Sequence, residues 1–478
     1  MKRVIHLFFL APLVFACGSD DSVDVTRFEL LPKESTLASC TDPLATNLST
    51  GFIFDDNSCQ YTPVKCSGCD HVIATDDHII DNDKLKLPIG ATIGIKPGKR
   101  GALTFRNFHG TAAKPYIIVN CDGKVDIAAE VPGIKLHASS HIRLTGTGSV
   151  DDYGIKISDA KPFGVVAELS TTDFEIDHLE ITGTQGPGVS ARTRPVCDGS
   201  SNRGTFTQRN TILHHNYIHD TGGEGFYIGG SHWHTSFPEN NDCPSLTLLE
   251  PELEGVKIYN NIVENTGQDG IQVGGAIIGC EIYNNVVINY GLKNIEVHQA
   301  GIQINPGTTG DIYSNLIKGG TGSGIFLNGF DNRVFSNLII DCNKNAILAG
   351  DREPPAGKSY KIVNNTMVNV NGYAIYMNSK LSVNNIFYNN LIINQVGDLN
   401  NKLGADIDID IADNIEFEKL DEALLVSPDR YDFTPLDDSP LIDAGRNIDN
   451  IGISIDYLLN SRHRGAAVDV GAFEYQKN

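Results

Sequence analysis

A short phrase repeats through residues 212–394 and limits what this chain can fold into: an apolar residue, a usually aromatic one, a polar one, then Asn. It reads Leu213-His214-His215-Asn216, Ile258-Tyr259-Asn260-Asn261, Ile282-Tyr283-Asn284-Asn285 and Ile312-Tyr313-Ser314-Asn315. It continues as Val334-Phe335-Ser336-Asn337, Ile362-Val363-Asn364-Asn365 and Phe387-Tyr388-Asn389-Asn390. The final Asn returns after 45, 24, 30, 22, 28 and 25 residues. A period in the twenties with variable insertions marks a solenoid, in which each repeat buries its apolar face against its neighbours. Between these phrases lies a second one, Gly followed by strand formers: Gly225-Phe226-Tyr227-Ile228, Gly270-Ile271-Gln272-Val273, Gly301-Ile302-Gln303-Ile304 and Gly324-Ile325-Phe326-Leu327. Each repeat therefore carries at least two short strands with period-2 alternation, separated by Gly and Asn turns. No window shows the 3.6-residue period of a helix. Short strands with one coil per 22–30 residues predict an all-β fold, a parallel β-helix.

Strand-like runs also precede the repeats, from Ile93-Gly94-Ile95 and Tyr116-Ile117-Ile118-Val119 to Leu179-Glu180-Ile181, with His178 expected at the ladder position ahead of Asn216. On these motifs the chain resembles the right-handed parallel β-helix superfamily, which includes pectate lyases, polygalacturonases and other polysaccharide lyases. The resemblance covers roughly residues 100–395. It implies a right-handed solenoid and a carbohydrate-active protein. The calcium-binding and Lys/Arg catalytic motifs of the known lyases, and the paired-Asp motifs of polygalacturonases, have no clear copy here. The end of a β-helix is an open sheet edge that needs cover. Residues 18–70 are accordingly expected to form a tether and a Cys-containing N-terminal cap, 71–395 the β-helix, and 396–478 a C-terminal capping region. The piece from Ser439 to Glu474 resembles a segment found at the C-terminus of bacterial β-helix proteins, and Asp443, Arg446, Arg464 and Asp469 are expected to satisfy one another there.

Residues 1–17 read as a targeting segment: Lys2 and Arg3, then a short apolar core ending in Leu13-Val14-Phe15-Ala16-Cys17. This resembles a bacterial lipobox, with Cys17 as the acylated residue after cleavage, and the acidic Gly18-Ser19-Asp20-Asp21 resembles a surface-export signal. The expected location is the outer membrane or cell surface, tethered by lipid alone. A formal charge of −22 argues against a nucleic-acid partner. Export permits disulfides. Among Cys40, Cys59, Cys66 and Cys69 one or two bridges are expected in preference to a zinc site, Cys197 and Cys243 sit in two long loops and can pair, and Cys121, Cys280 and Cys342 read as buried rung thiols.

The Asn column is expected to hydrogen-bond its own turns and the Asn of the next coil. The aromatic column beside it (His214, Tyr259, Tyr283, Tyr313, Phe335, Tyr388) is expected to stack from coil to coil, with a sugar platform as the alternative. Aligning Thr221-Gly222-Gly223-Glu224-Gly225 with Thr266-Gly267-Gln268-Asp269-Gly270 puts Glu224 and Asp269 in one column, flanked by Pro187 and Ala300. Strands ~4.8 Å apart would set these carboxyls roughly 5–6 Å apart, where they can couple their titration, hold Ca²⁺ or act on a glycosidic bond. The pair lies within the one basic region of the chain: Arg192, Arg194, Arg203 and Arg209 fall within 18 residues, and His214, His215, His219, His232 and His234 within 21, with the only Trp, Trp233, between the last two. Arg groups hold uronate carboxylates and an indole face stacks on a pyranose.

Eliminative cleavage of a uronate polymer needs its carboxylate neutralised, a base at C5 and an acid for the leaving oxygen. Arg192, His232 or His234, and Tyr227 are candidates for these roles, with Arg194, Trp233, Gln272, Gln303 and Asn305 as substrate contacts. Hydrolysis would rest on Glu224 and Asp269 instead. The expectation is cleavage of an anionic polysaccharide, by a lyase ahead of a hydrolase; the alternative is a non-catalytic glycan-binding or adhesive surface protein.

Overall fold

Alternation along each short strand points one set of side chains into a shared interior, where Phe226, Ile228, Ile271, Val273, Ile302 and Ile304 are all fully buried. The computed structural model describes residues 34–51, 53–56, 58–236, 243–352, 357–394, 401–403 and 406–476. Cys17 and the targeting segment lie outside them. Among the described residues the strands form three long parallel sheets. Sheet 1 has 12 strands, from Ile79–Asp81 to Asn401–Leu403; sheet 2 has 13, from His71–Ile73 to Ile409–Ala412; sheet 3 has 12, from Gly98–Arg100 to Ile415–Phe417. The chain visits sheets 1, 2 and 3 in turn, and each strand pairs in parallel with its counterpart one coil on. The coils continue to Phe417, past the expected boundary at 395, because the acidic stretch after Asp398 still holds Ile409-Asp410-Ile411-Ala412 and Ile415-Glu416-Phe417 in register with the coil before.

The two sequence phrases mark two corners. In the Asn phrase the residue before the ladder Asn turns the chain with positive φ (53° at Asn260 and Asn284, 52° at Ser314), a conformation that Asn tolerates better than most residues. The ladder Asn then donates to the next one: Asn216 to Asn261, Asn261 to Asn285, Asn285 to Asn315 and Asn315 to Asn337, each at 3.0 Å. The Gly that opens each sheet-1 strand meets a different demand. A Cβ on Gly225 would lie 2.4 Å from Val263 Cγ1 and 2.6 Å from the carbonyl oxygen of Gly270, so only hydrogen fits.

His178 is not at the ladder position. The register pairs Leu179 with Asn216 and places His178 opposite His215, in the column of positive-φ turn residues. The aromatic column stacks as expected, with ring centroids 4.8–4.9 Å apart from His214 to Phe335. Disulfides join Cys40 to Cys59, Cys66 to Cys121 and Cys197 to Cys243; Cys69, Cys280 and Cys342 are free. Cys121 is thus a bridge partner and not a rung thiol, since residues 64–70 run alongside the coil that carries it.

The outer face of sheet 3 is apolar over several coils. Leu316, Leu338, Ile340, Val368, Leu391 and Ile393 pack there against Tyr431, Phe433, Leu441, Tyr457 and Phe473 of the C-terminal region, and Leu37, Ile53 and Phe54 of the N-terminal region join the same cluster. Asp443 and Asp469 meet through the backbone N–H of Asp443, 2.8 Å from Asp469 Oδ1, while Arg446 pairs with Asp413 and a fully buried Arg462 with Glu474.

Candidate active site

Two long loops interrupt the coils that carry Glu224 and Asp269. They add a three-stranded sheet, Thr207–Arg209, Glu252–Glu254 and Ala276–Ile278, and the Cys197–Cys243 bridge ties one loop to the other. The second loop returns across the end of sheet 1. Ser231 Oγ there hydrogen-bonds with Tyr227 Oη at 2.9 Å and accepts from Gln272 Nε2 and Asn305 Nδ2, each at 3.3 Å. This roof explains why Gln272 and Gln303, which point away from the core, are 0% and 2% exposed. Tyr227, Gln272 and Gln303 form one column of the register.

Glu224 and Asp269 stand in one column as the sequence alignment requires, since Gly188 N–H donates to Glu224 O and Gly225 N–H to Asp269 O in successive coils. A third residue joins them. His298 lies in the loop before the next sheet-1 strand, and one oxygen of each carboxylate and a ring nitrogen of His298 fall within 4.8 Å of one another. Its Nδ1 is 3.6 Å from Asp269 Oδ2 and 3.9 Å from Glu224 Oε1. Asp269 is sealed: it is 0% exposed, the N–H of Ala300 donates to its Oδ1 at 2.7 Å, and the Gln303 amide nitrogen, turned toward it, donates at 3.1 and 3.3 Å.

Burial governs the charges here. It pushes Glu224 up to about 7, with the neighbouring Asp269 adding to the effect and His298 and Arg192 opposing it. Asp269 is raised by burial against the pull of His298, and His298 is raised by Asp269. The three groups are close enough for their titrations to be coupled. Calcium takes six to eight oxygen ligands. A set made of two carboxylates and an imidazole nitrogen does not fit it.

A groove of about 200 Å³ opens beside Glu224, lined among others by Phe163, Ser190, Arg192, Arg194, Glu168 and Tyr227. Arg192 Nη1 donates to Tyr227 Oη at 2.8 Å, and its guanidinium carbon lies 5.2 Å from the centre of that ring. Glu168 is held by His137, whose Nε2 is 3.0 Å away. Apolar surface, two arginines, a phenol and one poised carboxyl thus share a single cleft.

Other residues of the basic region fall elsewhere, because one coil passes through three sheets and a run of 21 residues therefore samples several faces. His214 is in sheet 2 and His219 in sheet 3, where it pairs with Asp220 at 2.7 Å. Arg209 pairs with Glu254 at 3.0 Å. The guanidinium carbon of Arg203 lies 3.6 Å over the centre of the Trp233 ring, and a Cβ on Gly307 would meet that indole at 2.2 Å. Both surroundings pin the loop. His234 is exposed and meets the Trp233 ring edge-on, and the N–H of His232 donates to Glu250 at 2.8 Å; neither histidine lines the groove. The residues the sequence left out are His298 and Glu168. His298 had a signal in the 30-residue coil from Asn285 to Asn315, longer than its neighbours in that run; Glu168 had none.

A family described as a right handed beta helix region matches residues 252–413. No curated protein matches the chain. Among solved structures, a pectate lyase aligns with a TM-score of 0.41 and 13% identity over 86% of this chain and 97% of that one. A polysaccharide lyase from Pseudopedobacter saltans aligns with a TM-score of 0.40 and 14% identity over 72% and 93%. The A-module of a mannuronan C-5 epimerase from Azotobacter vinelandii gives 0.39 and 13% over 69% and 91%. These likenesses carry nothing about the chemistry of the groove.

Proposed function

We propose that this right-handed parallel β-helix protein binds a uronate-containing polysaccharide in the groove on sheet 1 and cleaves it by β-elimination. The observation that carries the reading is the joint lining of one groove by Arg192, Arg194, Tyr227 and the buried carboxyl of Glu224. The arginines pair with the uronate carboxylate and so acidify the proton at C5. Glu224 in its ionised form removes that proton; the C5–H electron pair becomes the C4=C5 double bond as the C4–O bond breaks. Tyr227 gives its proton to the departing glycosidic oxygen, and the Arg192 N–H that already points at Oη stabilises the negative charge left there. His298 and Asp269 lie behind Glu224 and set its charge. A hydrolase would need a second free carboxylate facing the bond, whereas Asp269 is sealed and Glu168 is engaged by His137.

A panel of polyuronates and neutral glycans tests this, read by ultraviolet absorbance of the unsaturated end and by reducing-end assay. Unsaturated product from an acidic polymer is expected. Reducing ends without the absorbance would mean hydrolysis, and binding with neither signal would mean a non-catalytic glycan receptor.

We further propose that the chain works outside the cytoplasm, tethered through Cys17. The lipobox-like sequence and three disulfides support this. Palmitate labelling of the expressed protein should be lost in Cys17→Ser; unchanged labelling would sink the proposal.

A further inference from the structure

Away from the groove, where sheet 2 turns into sheet 3, a second cluster of titratable side chains is buried under the N-terminal region. His178 and His215 hold the same turn position in consecutive coils, with φ of 57° and 50°, and stack with centroids 5.2 Å apart and planes 4° from parallel. Asp42 comes down over them from the N-terminal region. Its Oδ2 is 2.9 Å from Nε2 of His178 and its Oδ1 3.9 Å from Nε2 of His215. The three residues are 0%, 1% and 6% exposed.

We propose that Asp42, His178 and His215 bind one divalent transition-metal ion of the zinc class, fastening the N-terminal region to the β-helix. The carboxylate supplies the first argument. Asp42 Oδ2 is buried, 2.9 Å from His178 Nε2 but without a well-directed hydrogen bond, a costly setting for an anion that a bound cation relieves. The histidines supply the second. Each presents Nε2 toward Asp42, with Tyr61 Oη 3.0 Å from that of His178 and Asn260 Nδ2 3.1 Å from that of His215 as the contacts a metal ion would replace, while its Nδ1 is engaged from behind. His178 Nδ1 lies 2.7 Å from Asp177, which Arg143 holds with bonds of 2.8 and 3.2 Å. His215 Nδ1 lies 2.7 Å from His214 Nδ1, and His214 Nε2 meets Glu175 at 2.9 Å. Backing by a carboxylate, direct at His178 and relayed through His214 at His215, is what orients a metal-binding imidazole and makes it basic.

Space and charge agree. One oxygen of Asp42 and a nitrogen from each histidine lie within 4.8 Å of one another, so a modest inward movement brings them to bonds of about 2.0–2.2 Å. A cavity of about 20 Å³, room for one water, adjoins the histidines and is lined by Asp55, Tyr61, Asp152 and Tyr153. Two imidazoles, one carboxylate and a water complete a tetrahedral zinc set. Downstream the same turn position holds Asn260, Asn284, Ser314, Ser336, Asn364 and Asn389, and histidine stands in the two coils that Asp42 reaches.

That column supplies a conservative test. His215→Asn installs the residue of the next coil, already suited to the positive φ, and His178→Asn does the same one coil earlier. The full chain, stripped with chelator, is titrated with Zn²⁺ against a chromophoric competitor, and bound zinc is counted by mass spectrometry. Native protein is expected to hold one more tightly bound zinc than either variant, whose affinity for that equivalent falls roughly 100-fold. Cobalt loading should give tetrahedral ligand-field bands in native protein that both variants lack. Equal stoichiometry and affinity in native protein and His215→Asn, or no zinc uptake by native protein, overturns the site. Zinc taken up at Glu224, Asp269 and His298 would appear equally in all three proteins and drops out of the comparison.

Discussion

Glu224 is a carboxyl kept near the midpoint of its ionisation by the place it occupies. Its pKa is raised from 4.5 to about 7, so it is charged more easily in the unfolded chain than in the folded one. The cost of ionising it in place is absent below pH 4.5, grows as pH rises and is complete above about 7. Glu224→Gln is therefore expected to stabilise the protein by about 2–3 kcal/mol at pH 9 and by nothing at pH 4, in urea unfolding followed by circular dichroism, while abolishing turnover. A gain equal at both pH values would contradict the raised pKa. In native protein kcat/KM for the proposed elimination should climb about tenfold per pH unit toward pH 7 and then level. Tyr227→Phe should lower kcat by about 10²–10⁴-fold with little change in KM, whereas loss of Arg192 should raise KM as well. Glu224 and Asp269 were legible because both follow the same Thr-Gly phrase in the sequence. His298 offered only the extra length of its coil as a signal, since an insertion has no counterpart in the neighbouring coils to align with. The histidines at 214, 215 and 219 misled for a related reason: closeness in sequence within a coil is distance around the solenoid.

At the scale of an element, the turn residue and the ladder Asn that follows it perform two separable tasks in each coil. The ladder Asn is buried: Asn315 Nδ2 donates to the carbonyls of Ile282 and Tyr313, and its Oδ1 accepts from the backbone N–H and Nδ2 of Asn285. Asn315→Ala leaves these groups unpaired in the interior and is expected to cost about 3 kcal/mol or more. Asn284→Ala, at the positive-φ turn, loses only backbone tolerance and should cost about 1 kcal/mol. Urea midpoints of the two variants compare them directly, and equal losses would mean that the ladder bonds add nothing. The ladder Asn was visible in the sequence as a repeat, which is why the fold was readable there, whereas the positive-φ task of the residue before it was not read. The one-residue displacement of His178 was not, because without a doubled Asn nothing distinguishes the turn position from the ladder position.

Across the whole molecule, the described N-terminal and C-terminal regions meet on one flank. Phe54 packs edge-on against Tyr431 with ring centres 6.1 Å apart, and both regions cover the apolar outer face of sheet 3. Removing residues 418–478 would bare that face, and the truncated chain is expected to associate or precipitate where the full chain elutes as a discrete species in size-exclusion chromatography. A soluble monomer would show that the C-terminal region is dispensable cover. This packing joins segments far apart in sequence, so periodicity could place the coils but not what lies on them. The groove is organised the same way, with Arg192, Glu224, Ser231 and His298 arriving from three coils and two loops. The most direct test of its chemistry is ultraviolet absorbance during digestion of polyuronates by native protein, Glu224→Gln and Tyr227→Phe side by side. Unsaturated product from native protein alone is expected. Undiminished product from both variants, or reducing ends released without it, would contradict elimination at this site.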